Sequence, residues 1–264
     1  MFGYRLGGRR LAKGLEESKG MASEFKTRLF VDADLASNAV VALDGDRAHF
    51  LRNVLRLKPG DRIAVFNGRA GEWGAGIAEL GKRAATLEIG ERVRVQEAAS
   101  DIWLAFAPIK RARIDFIAQK ATELGAAVLW PVFTRYTAMD RVNLDRLRAN
   151  AAEAAEQCGR LEVPEVREPI RFEALLDQWP ADRRLICCDE TGGGAPIIDA
   201  LRDLEPGPAG LMTGPEGGFA KEELDRLEKT ANVCRVSLGP RILRADTAAL
   251  AALACWQAAV GDWR

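Results

Sequence analysis

The spacing of hydrophobic and polar residues changes about a third of the way along the chain. Between residues 28 and 95 the apolar residues fall in short alternating or β-branched runs, such as "RLFV", "RIAVFNG", "WGAGIAEL", "AATLEIG" and "RVRV", separated by turn residues. Short strands at this spacing predict a small β-barrel. A single helix is predicted within it at residues 46–56. Its apolar face would hold Phe50, Leu51, Val54 and Leu55.

A linker at residues 96–101 precedes a different pattern, in which strand-like and helix-like segments alternate. "IWLAFAP" and "AAVLWPVF" read as strands, whereas "RIDFIAQKATELG" and "LDRLRANAAEAAEQCG" read as amphipathic helices ended by glycine. This alternation predicts an α/β fold with a parallel sheet. The closing segment "TAALAALACWQAAV" is apolar almost all round. Such a helix is expected to be buried, in the core or against another subunit.

Composition narrows the class of protein. The 264 residues are 48% hydrophobic and 29% charged with a net charge of zero, which is ordinary globular composition. No apolar run reaches about 18 residues, so we expect no membrane association. A single histidine and five cysteines without a C-x-x-C pair argue against metal and favour reduced thiols in a cytoplasmic protein. Residues 1–20 lack the apolar core of a secretory signal and are expected to be a disordered extension.

Three glycine-rich elements follow predicted strands in the second part, at residues 189–194, 214–218 and 237–244. Ligands of open parallel sheets bind at the carboxyl ends of strands, and glycine lets a ligand approach the backbone closely. A G-x-x-x-x-G-K-[ST] phosphate loop is absent from the sequence. The first element, "DETGGG", faintly resembles the loop of Rossmann-type methyltransferases. That interpretation is kept as an alternative, although this element comes late in the domain.

The other two elements carry a more specific resemblance. "TGPEGGF", followed by an acidic helix and "VSLGPRILRADTAALAAL", is similar to the ribosomal RNA small subunit methyltransferase E family of the SPOUT class. "HFLRNVLRLKPGDRIAVFNG" resembles that family's PUA-like barrel, and "EAAEQCGRLEVPEV" resembles its EQ-x-x-R segment. The likeness covers nearly the whole chain after Met21.

The resemblance implies a PUA-like β-barrel for RNA binding at residues 21–95 and a SPOUT methyltransferase domain at residues 96–264. The second domain would be a knotted parallel sheet with a deep carboxyl-terminal trefoil knot. The implied protein is a homodimer that uses S-adenosyl-L-methionine to methylate the ring nitrogen N3 of a uridine in 16S ribosomal RNA of the small subunit. A non-catalytic RNA-binding protein is the alternative from another class.

The resemblance places the cofactor on the two glycine-bearing loops, which would grip it mainly through backbone atoms. Glu216 would either hold part of the methionine moiety or fix the loop by accepting backbone hydrogen bonds. The expected cofactor-binding residues are Thr213, Gly214, Pro215, Glu216, Gly217, Gly218, Leu238, Gly239, Ile242 and Leu243.

Methylation of a uracil nitrogen requires loss of the imide proton and stabilisation of the negative charge that develops, a task suited to arginine. Arg241, Arg244 and Arg160 are the expected catalytic residues. The proton acceptor stays open among water, Glu156 and Asp246. Ala245 and Asp246 stand where Thr-Glu is frequent in the family, and Asp246 would equally serve to cap the last helix.

Six basic residues are expected to contact RNA phosphates, although a solvated basic face explains the first part's helix equally well. They are Arg28, Arg52, Arg56, Lys58, Lys110 and Arg111.

Overall fold

The computed structural model describes residues 24–97, 100–202, 204–205 and 207–263. The expected extension at residues 1–20 and the side chain of Arg111 lie outside the described part. The chain divides into two compact units, Met1–Glu97 and Ala98–Arg264.

The first unit is built on a five-stranded sheet whose order is β1–β3–β4–β5–β2. β1 runs parallel to β3, and the other neighbours are antiparallel. The segments "AATLEIG" and "RVRV" form the single strand β5, and the pattern did not reveal β2. The strands are β1 (Arg28–Phe30), β2 (Val40–Leu43), β3 (Arg62–Phe66), β4 (Glu72–Leu80) and β5 (Ala85–Arg94).

The helix expected in this unit is shorter and less regular than the pattern predicts. α1 (Gly45–His49) is capped by Asp44, whose side chain accepts a hydrogen bond from the backbone N–H of Arg47. A π-helical turn, Phe50–Val54, follows the helix directly. The wider turn changes the rotation per residue, so the apolar positions do not share one face. Leu51 is fully buried, whereas Val54 is 59% exposed.

The second unit contains a sheet in which all recorded strand pairs are parallel. Its order is β11–β13–β10–β12–β6–β7–β8, and β9 also pairs with β7. The predicted parallel α/β sheet is therefore confirmed. The strands are β6 (Ile102–Phe106), β7 (Ala126–Phe133), β8 (Glu165–Val166), β9 (Ile170–Arg171), β10 (Arg184–Cys188), β11 (Ala195–Pro196), β12 (Ala209–Thr213) and β13 (Val233–Ser237).

Helices connect these strands and cover both faces of the sheet. Alternate strand residues point to opposite faces, so Leu211 packs in one core and Met212 in the other. The first core also receives α2, α3, α5 and α7, and the second receives α4 and α6. The helices are α2 (Arg111–Glu123), α3 (Leu144–Cys158), α4 (Phe172–Gln178), α5 (Ile197–Arg202), α6 (Lys221–Lys229) and α7 (Ala245–Ala259).

The closing helix α7 is buried on one side only. Ala249, Leu253 and Trp256 are at most 3% exposed. Leu250 and Ala254 keep intermediate exposure. The part of this helix that the unit's own core does not cover is available to a second subunit.

The sheet order brings three strand ends together. β10 lies between β12 and β13, and Cys188, its last residue, is level with Thr213 on one side and Val236 on the other. The segments that follow these strands therefore emerge side by side at the carboxyl edge. The three glycine-rich elements are parts of those segments.

Candidate functional site

A cleft of about 220 Å³ opens where the three strand-end segments meet. A single buried water needs roughly 10–15 Å³, so the cleft has space for an organic ligand. The start of α7 closes it on one side. The cleft is lined by Cys188, Asp189, Glu190, Thr213, Gly214, Pro215, Glu216, Gly218, Leu238, Gly239, Arg241, Ile242, Leu243, Arg244, Ala245 and Ala248.

The residues predicted to bind a cofactor are brought together with one exception. Nine of the ten line the cleft. Gly217 is the exception and does not line the cleft. A Cβ atom built on it would lie 3.0 Å from Cβ of Tyr136. The Cβ position of Gly217 therefore faces the segment after β7. For all ten residues, contact with a cofactor stays a prediction.

Glu190 fixes the Gly214–Gly218 loop from across the cleft. Its Oε1 accepts a hydrogen bond of 2.9 Å from the backbone N–H of Phe219. Gly218 has φ of +74°, and a Cβ atom there would overlap the Glu190 carboxylate. Glycine is thus required at Gly218 both by the backbone conformation and by the approach of Glu190.

A second carboxylate, Glu223 in the first turn of α6, holds the other end of this loop. Its Oε2 accepts a hydrogen bond of 2.8 Å from the N–H of Ala220, and its Oε1 accepts one of 2.8 Å from the N–H of Arg135. Glu223 is only 5% exposed. Of the two roles considered for Glu216, fixing the loop belongs instead to Glu190 and Glu223. Glu216 is an exposed residue of the cleft.

Asp189 is the centre of a buried polar network under the cleft. Its Oδ1 accepts hydrogen bonds from the Thr191 N–H (2.9 Å) and hydroxyl (2.7 Å), and its Oδ2 lies 2.5 Å from Nη2 of Arg235. Burial alone would raise the pKa of Asp189, but the hydrogen bonds from Thr191 and Arg235 outweigh it and lower the pKa. The carboxylate therefore stays charged and ties the end of β10 to β13.

Two further polar groups of the cleft are buried, the hydroxyl of Thr213 and the thiol of Cys188. The hydroxyl of Thr213 is buried and has no hydrogen-bond partner among the described residues. A buried polar atom without a partner is costly, so this hydroxyl is suited to a ligand. Burial also raises the pKa of the Cys188 thiol to about 12, with a smaller contribution from Cys255. Cys188 is thus a neutral thiol in the wall of the cleft.

The predicted catalytic arginines separate into two groups. Arg241 and Arg244 are exposed residues that line the cleft. Arg160 instead donates hydrogen bonds of 2.8 Å to the carbonyls of Thr122 and Ala126. Ala126 starts β7, and the strand's eight residues span roughly 25 Å. In a single chain Arg160 therefore lies at the opposite edge of the sheet from the cleft. Within one chain Arg160 is thus apart from the other two, and its catalytic role stays a prediction.

Asp246 has local partners in the first turn of α7. Its Oδ1 accepts a hydrogen bond of 2.9 Å from the N–H of Thr247, and its Oδ2 lies 3.9 Å from Nε of Arg113. These contacts favour a structural role over removal of a proton.

The residues predicted to bind RNA differ in accessibility. Arg28 pairs with Glu72 at 2.5 Å and lies over the Phe66 ring, with a side chain only 20% exposed. Among the members whose side chains are described, Arg28 is thus the least accessible. The exposed residues are Arg52, Arg56, Lys58 and Lys110. Arg111 begins α2, and its side chain lies outside the described residues.

Sequence reasoning missed the acidic residues that organise the site. "DETGGG" was noticed as a glycine-rich element after a strand, but Asp189 and Glu190 were not assigned to the cleft. Their signal is the position directly after β10, whose neighbours carry the other two elements. Glu223 gave a weaker signal as an acid in the first turn of a helix.

Within the described ranges, no group of three or more His, Cys, Asp and Glu side chains is placed to hold a metal ion. No described helix combines the length and apolar character needed to cross a membrane.

Comparison with known proteins gives matches over both units. Residues 96–257 match the model of an RNA methyltransferase domain, and residues 43–90 match that of an RNA methyltransferase PUA domain. The ribosomal RNA small subunit methyltransferase E of Rickettsia conorii is 32% identical over 228 residues, covering 86% of this chain and 93% of that protein. The protein of the same name from Synechocystis is 32% identical over 249 residues, covering 92% and 81%.

Two solved structures of methyltransferases also match this chain over most of its length. The ribosomal RNA small subunit methyltransferase E of Neisseria gonorrhoeae, bound to S-adenosyl methionine, superposes with a TM-score of 0.78 and 29% identity. The match covers 90% of this chain and 99% of that one. A putative methyltransferase from Legionella pneumophila, in complex with the same cofactor, has a TM-score of 0.79 and 27% identity, covering 89% and 98%.

Proposed function

The chain belongs to the ribosomal RNA small subunit methyltransferase E family, and from this premise we propose that it methylates N3 of a uridine in 16S ribosomal RNA of the small subunit. Membership confirms the resemblance in the sequence and the presence of a PUA domain. It also removes the Rossmann-type interpretation of "DETGGG". The observation that carries the proposal is the cleft in which all three glycine-rich strand ends of the family's methyltransferase domain converge.

The cleft fits the cofactor of this family, S-adenosyl-L-methionine. The unpartnered hydroxyl of Thr213 offers a donor and an acceptor inside it. A Cβ atom on Gly239 would meet nothing within 4 Å, so a ligand can approach the backbone closely there. When bound, the cofactor supplies an electrophilic methyl group. The residues that would hold it are Thr213, Gly214, Pro215, Glu216, Gly218, Leu238, Gly239, Ile242 and Leu243.

Arg241 and Arg244 would act on the RNA base. Loss of the N3 proton leaves negative charge spread over the uracil ring and its carbonyl oxygens. Two guanidinium groups line the cleft where this charge would develop. They stabilise that charge and thereby favour the form of the base that accepts a methyl group. The local contacts of Asp246 disfavour it as the proton acceptor, which leaves water and Glu156.

RNA docking is assigned to the barrel at residues 21–95, with the methyltransferase domain at residues 96–264; the compact division after Glu97 supports this arrangement. Arg52, Arg56 and Lys58 of the barrel would contact phosphates and set the register, joined by Lys110 of the methyltransferase domain. Arg28 would contribute less because of its ion pair.

The remaining features of the proposal concern assembly. The knot that the family resemblance implies would involve the segments after β10, β12 and β13. A homodimer is supported by the partly exposed apolar residues of α7. The methylation would take place in the cytoplasm, on RNA of the small ribosomal subunit.

The test uses small subunits whose 16S RNA lacks the modification. Purified protein and S-adenosylmethionine labelled in the methyl group are added, and the RNA is digested and mapped by mass spectrometry. A single methyluridine carrying the methyl group on N3 is the expected product. Cofactor binding without transfer to RNA would instead favour the non-catalytic RNA-binding alternative.

A further inference from the structure

Tyr136 is an exposed aromatic residue at the edge of the sheet where the cleft lies. Its side chain is 53% exposed. Phe133 ends β7, so Tyr136 belongs to the segment that leaves the carboxyl end of that strand. The function proposed above makes no use of it.

The base of the Tyr136 side chain lies close to Gly217, in the loop that forms the cleft. A Cβ atom on Gly217 would lie 3.0 Å from Cβ, 3.7 Å from Cγ and 3.8 Å from the carbonyl oxygen of Tyr136. Glu216 and Gly218, on either side of Gly217, both line the cleft. Tyr136 is therefore next to Gly217, whose two neighbours in the chain line the cleft. About half of Tyr136 is exposed to solvent.

The segment that carries Tyr136 is held in place at both ends. The N–H of Thr134 donates to the Thr137 hydroxyl at 2.9 Å, and the N–H of Thr137 donates to the Thr134 carbonyl at 3.2 Å. The N–H of Arg135 donates to the buried carboxylate of Glu223 at 2.8 Å. A surface group on a fixed backbone loses less conformational entropy when a partner binds.

We propose that Tyr136 is a substrate-binding residue whose ring stacks on a base of the RNA next to the methylated nucleotide or on that nucleotide itself. The inference rests on the proposed function. Methylation of N3 requires an unpaired base, and unpaired bases in RNA are commonly stacked on aromatic side chains. Gly217 thus acts outside the cleft by providing the space in which Tyr136 is seated.

The test compares Tyr136→Ala, Tyr136→Phe and Tyr136→Leu in the full chain, with unmodified small subunits as substrate. Alanine keeps the Cβ atom of residue 136 and the backbone hydrogen bonds of Thr134, Arg135 and Thr137, so the loop conformation is expected to be retained. Phenylalanine keeps a stacking face without the hydroxyl, whereas leucine keeps apolar area without a ring. Trp263→Ala is the matched control, because Trp263 is 57% exposed. The backbone N–H of Trp263 donates to the backbone carbonyl of Gln257. The side chain of Gln257 donates through Nε2 to the carbonyl of Leu124, beside the amino end of β7.

Stacking on an aromatic ring predicts that Tyr136→Ala and Tyr136→Leu lower kcat/KM for the small subunit about 10-fold or more. Tyr136→Phe and Trp263→Ala are expected to stay within about twofold of the wild type. The affinity for S-adenosylmethionine and the unfolding midpoint are expected to be unchanged in all four. Equal kcat/KM for the alanine variant and the wild type would overturn the inference, as would a loss in Tyr136→Phe matching that in Tyr136→Ala. Failure of the wild type to methylate small subunits would overturn the proposed function itself.

Discussion

Glu190 and Gly218 fit one another across the mouth of the cleft. The Glu190 carboxylate binds the N–H of Phe219 at 2.9 Å and occupies the space that a side chain on Gly218 would need. The two residues come from segments that follow different strands, β10 and β12. The shape of the cleft thus depends on a contact between parts of the chain that are 28 positions apart.

Gly218→Ala is expected to weaken binding of S-adenosylmethionine by about 10-fold or more, measured by calorimetric titration. The methyl group would displace Glu190, and the left-handed backbone would add strain of roughly 1–2 kcal/mol to the free energy of folding. Gly159→Ala is the matched control, since Gly159 has φ of +84° and nothing within 4 Å of a Cβ atom. That variant should show the strain alone, with cofactor affinity unchanged. Equal affinities in the two variants would contradict the role of the Glu190 contact.

Glu190→Ala and Glu190→Gln should differ in cofactor affinity. Glutamine keeps an oxygen that can accept the hydrogen bond from Phe219, whereas alanine leaves that N–H without its partner. A hydrogen bond to a charged group contributes about 1.5–3 kcal/mol, so the alanine variant is expected to bind S-adenosylmethionine at least about fivefold more weakly. Glutamine should retain most of the affinity. If both variants lose affinity equally, the carboxylate charge matters rather than the fixing of the loop.

Arg241→Ala and Arg244→Ala are each expected to lower kcat roughly 100-fold, the scale found when a group that stabilises developing charge is removed. Cofactor affinity should change little, because these side chains are proposed to act on the base. Single-turnover methylation of small subunits measures the effect. Arg160→Ala is the comparison. It should lower the free energy of unfolding by about 2 kcal/mol through loss of two carbonyl contacts and leave kcat of the folded protein unchanged. A fall in kcat at unchanged stability would return Arg160 to the catalytic group.

The Asp189–Arg235 pair should make stability depend on pH in a defined window. The pKa of Asp189 is lowered in the folded protein, so its contribution is present above the ordinary carboxyl pKa of about 3.9 and disappears as the pH falls through the lowered value. Asp189→Asn is expected to cost about 2–3 kcal/mol at pH 7. That difference from the wild type should shrink below about pH 4 in urea unfolding.

Asp199→Asn provides the control for this measurement. Asp199 pairs with Arg202 at 3.1 Å, and both side chains are more than half exposed. An exposed pair of this kind contributes roughly 0–1 kcal/mol. If Asp189→Asn proves equally mild at pH 7, the buried network does not stabilise the end of β10 as inferred.

Cys188 should resist alkylation although it lines the cleft. With the pKa raised to about 12, only about one thiol in 10⁴ is ionised at pH 8, and the thiolate is the reactive form. Treatment with iodoacetamide followed by peptide mass spectrometry should leave Cys188 unmodified in the native protein and label it in denaturant. The more exposed Cys158 serves as an internal comparison. Rapid native labelling of Cys188 would show that the wall of the cleft opens.

The alternation of strands and helices predicted the second unit well because its segments carry simple periodicities. β7 and α3 are found where "AAVLWPVF" and "LDRLRANAAEAAEQC" place them. The first unit was harder. The π turn at Phe50–Val54 depends on backbone hydrogen bonds such as that from the Leu55 N–H to the Phe50 carbonyl, which no pattern of apolar residues reveals. β2 (Val40–Leu43) is not among the predicted strands.

The site was predictable as far as the glycine loops and their neighbouring arginines. Glycine spacing shows where a backbone can be approached, but it does not show which direction each residue faces, so Gly217 was grouped with Gly218. Contacts such as Glu190 with Phe219 or Arg160 with Ala126 join distant segments. The first contact depends on the strand order, with β10 between β12 and β13, and the second on how the end of α3 packs beside β7. Neither arrangement can be inferred from a local sequence pattern.

That strand order has a consequence during synthesis on the ribosome. Among the described strands, β10 pairs only with β12 and β13, and both are translated after it. Ser237, which ends β13, follows Cys188 by about 50 residues, so at roughly 5–20 residues per second the nascent β10 waits about 2–10 seconds for its second neighbour. Throughout that interval its apolar sequence "LICC" presents an unpaired edge. Chaperone occupancy on the emerging chain is therefore expected to peak between translation of β10 and translation of β13.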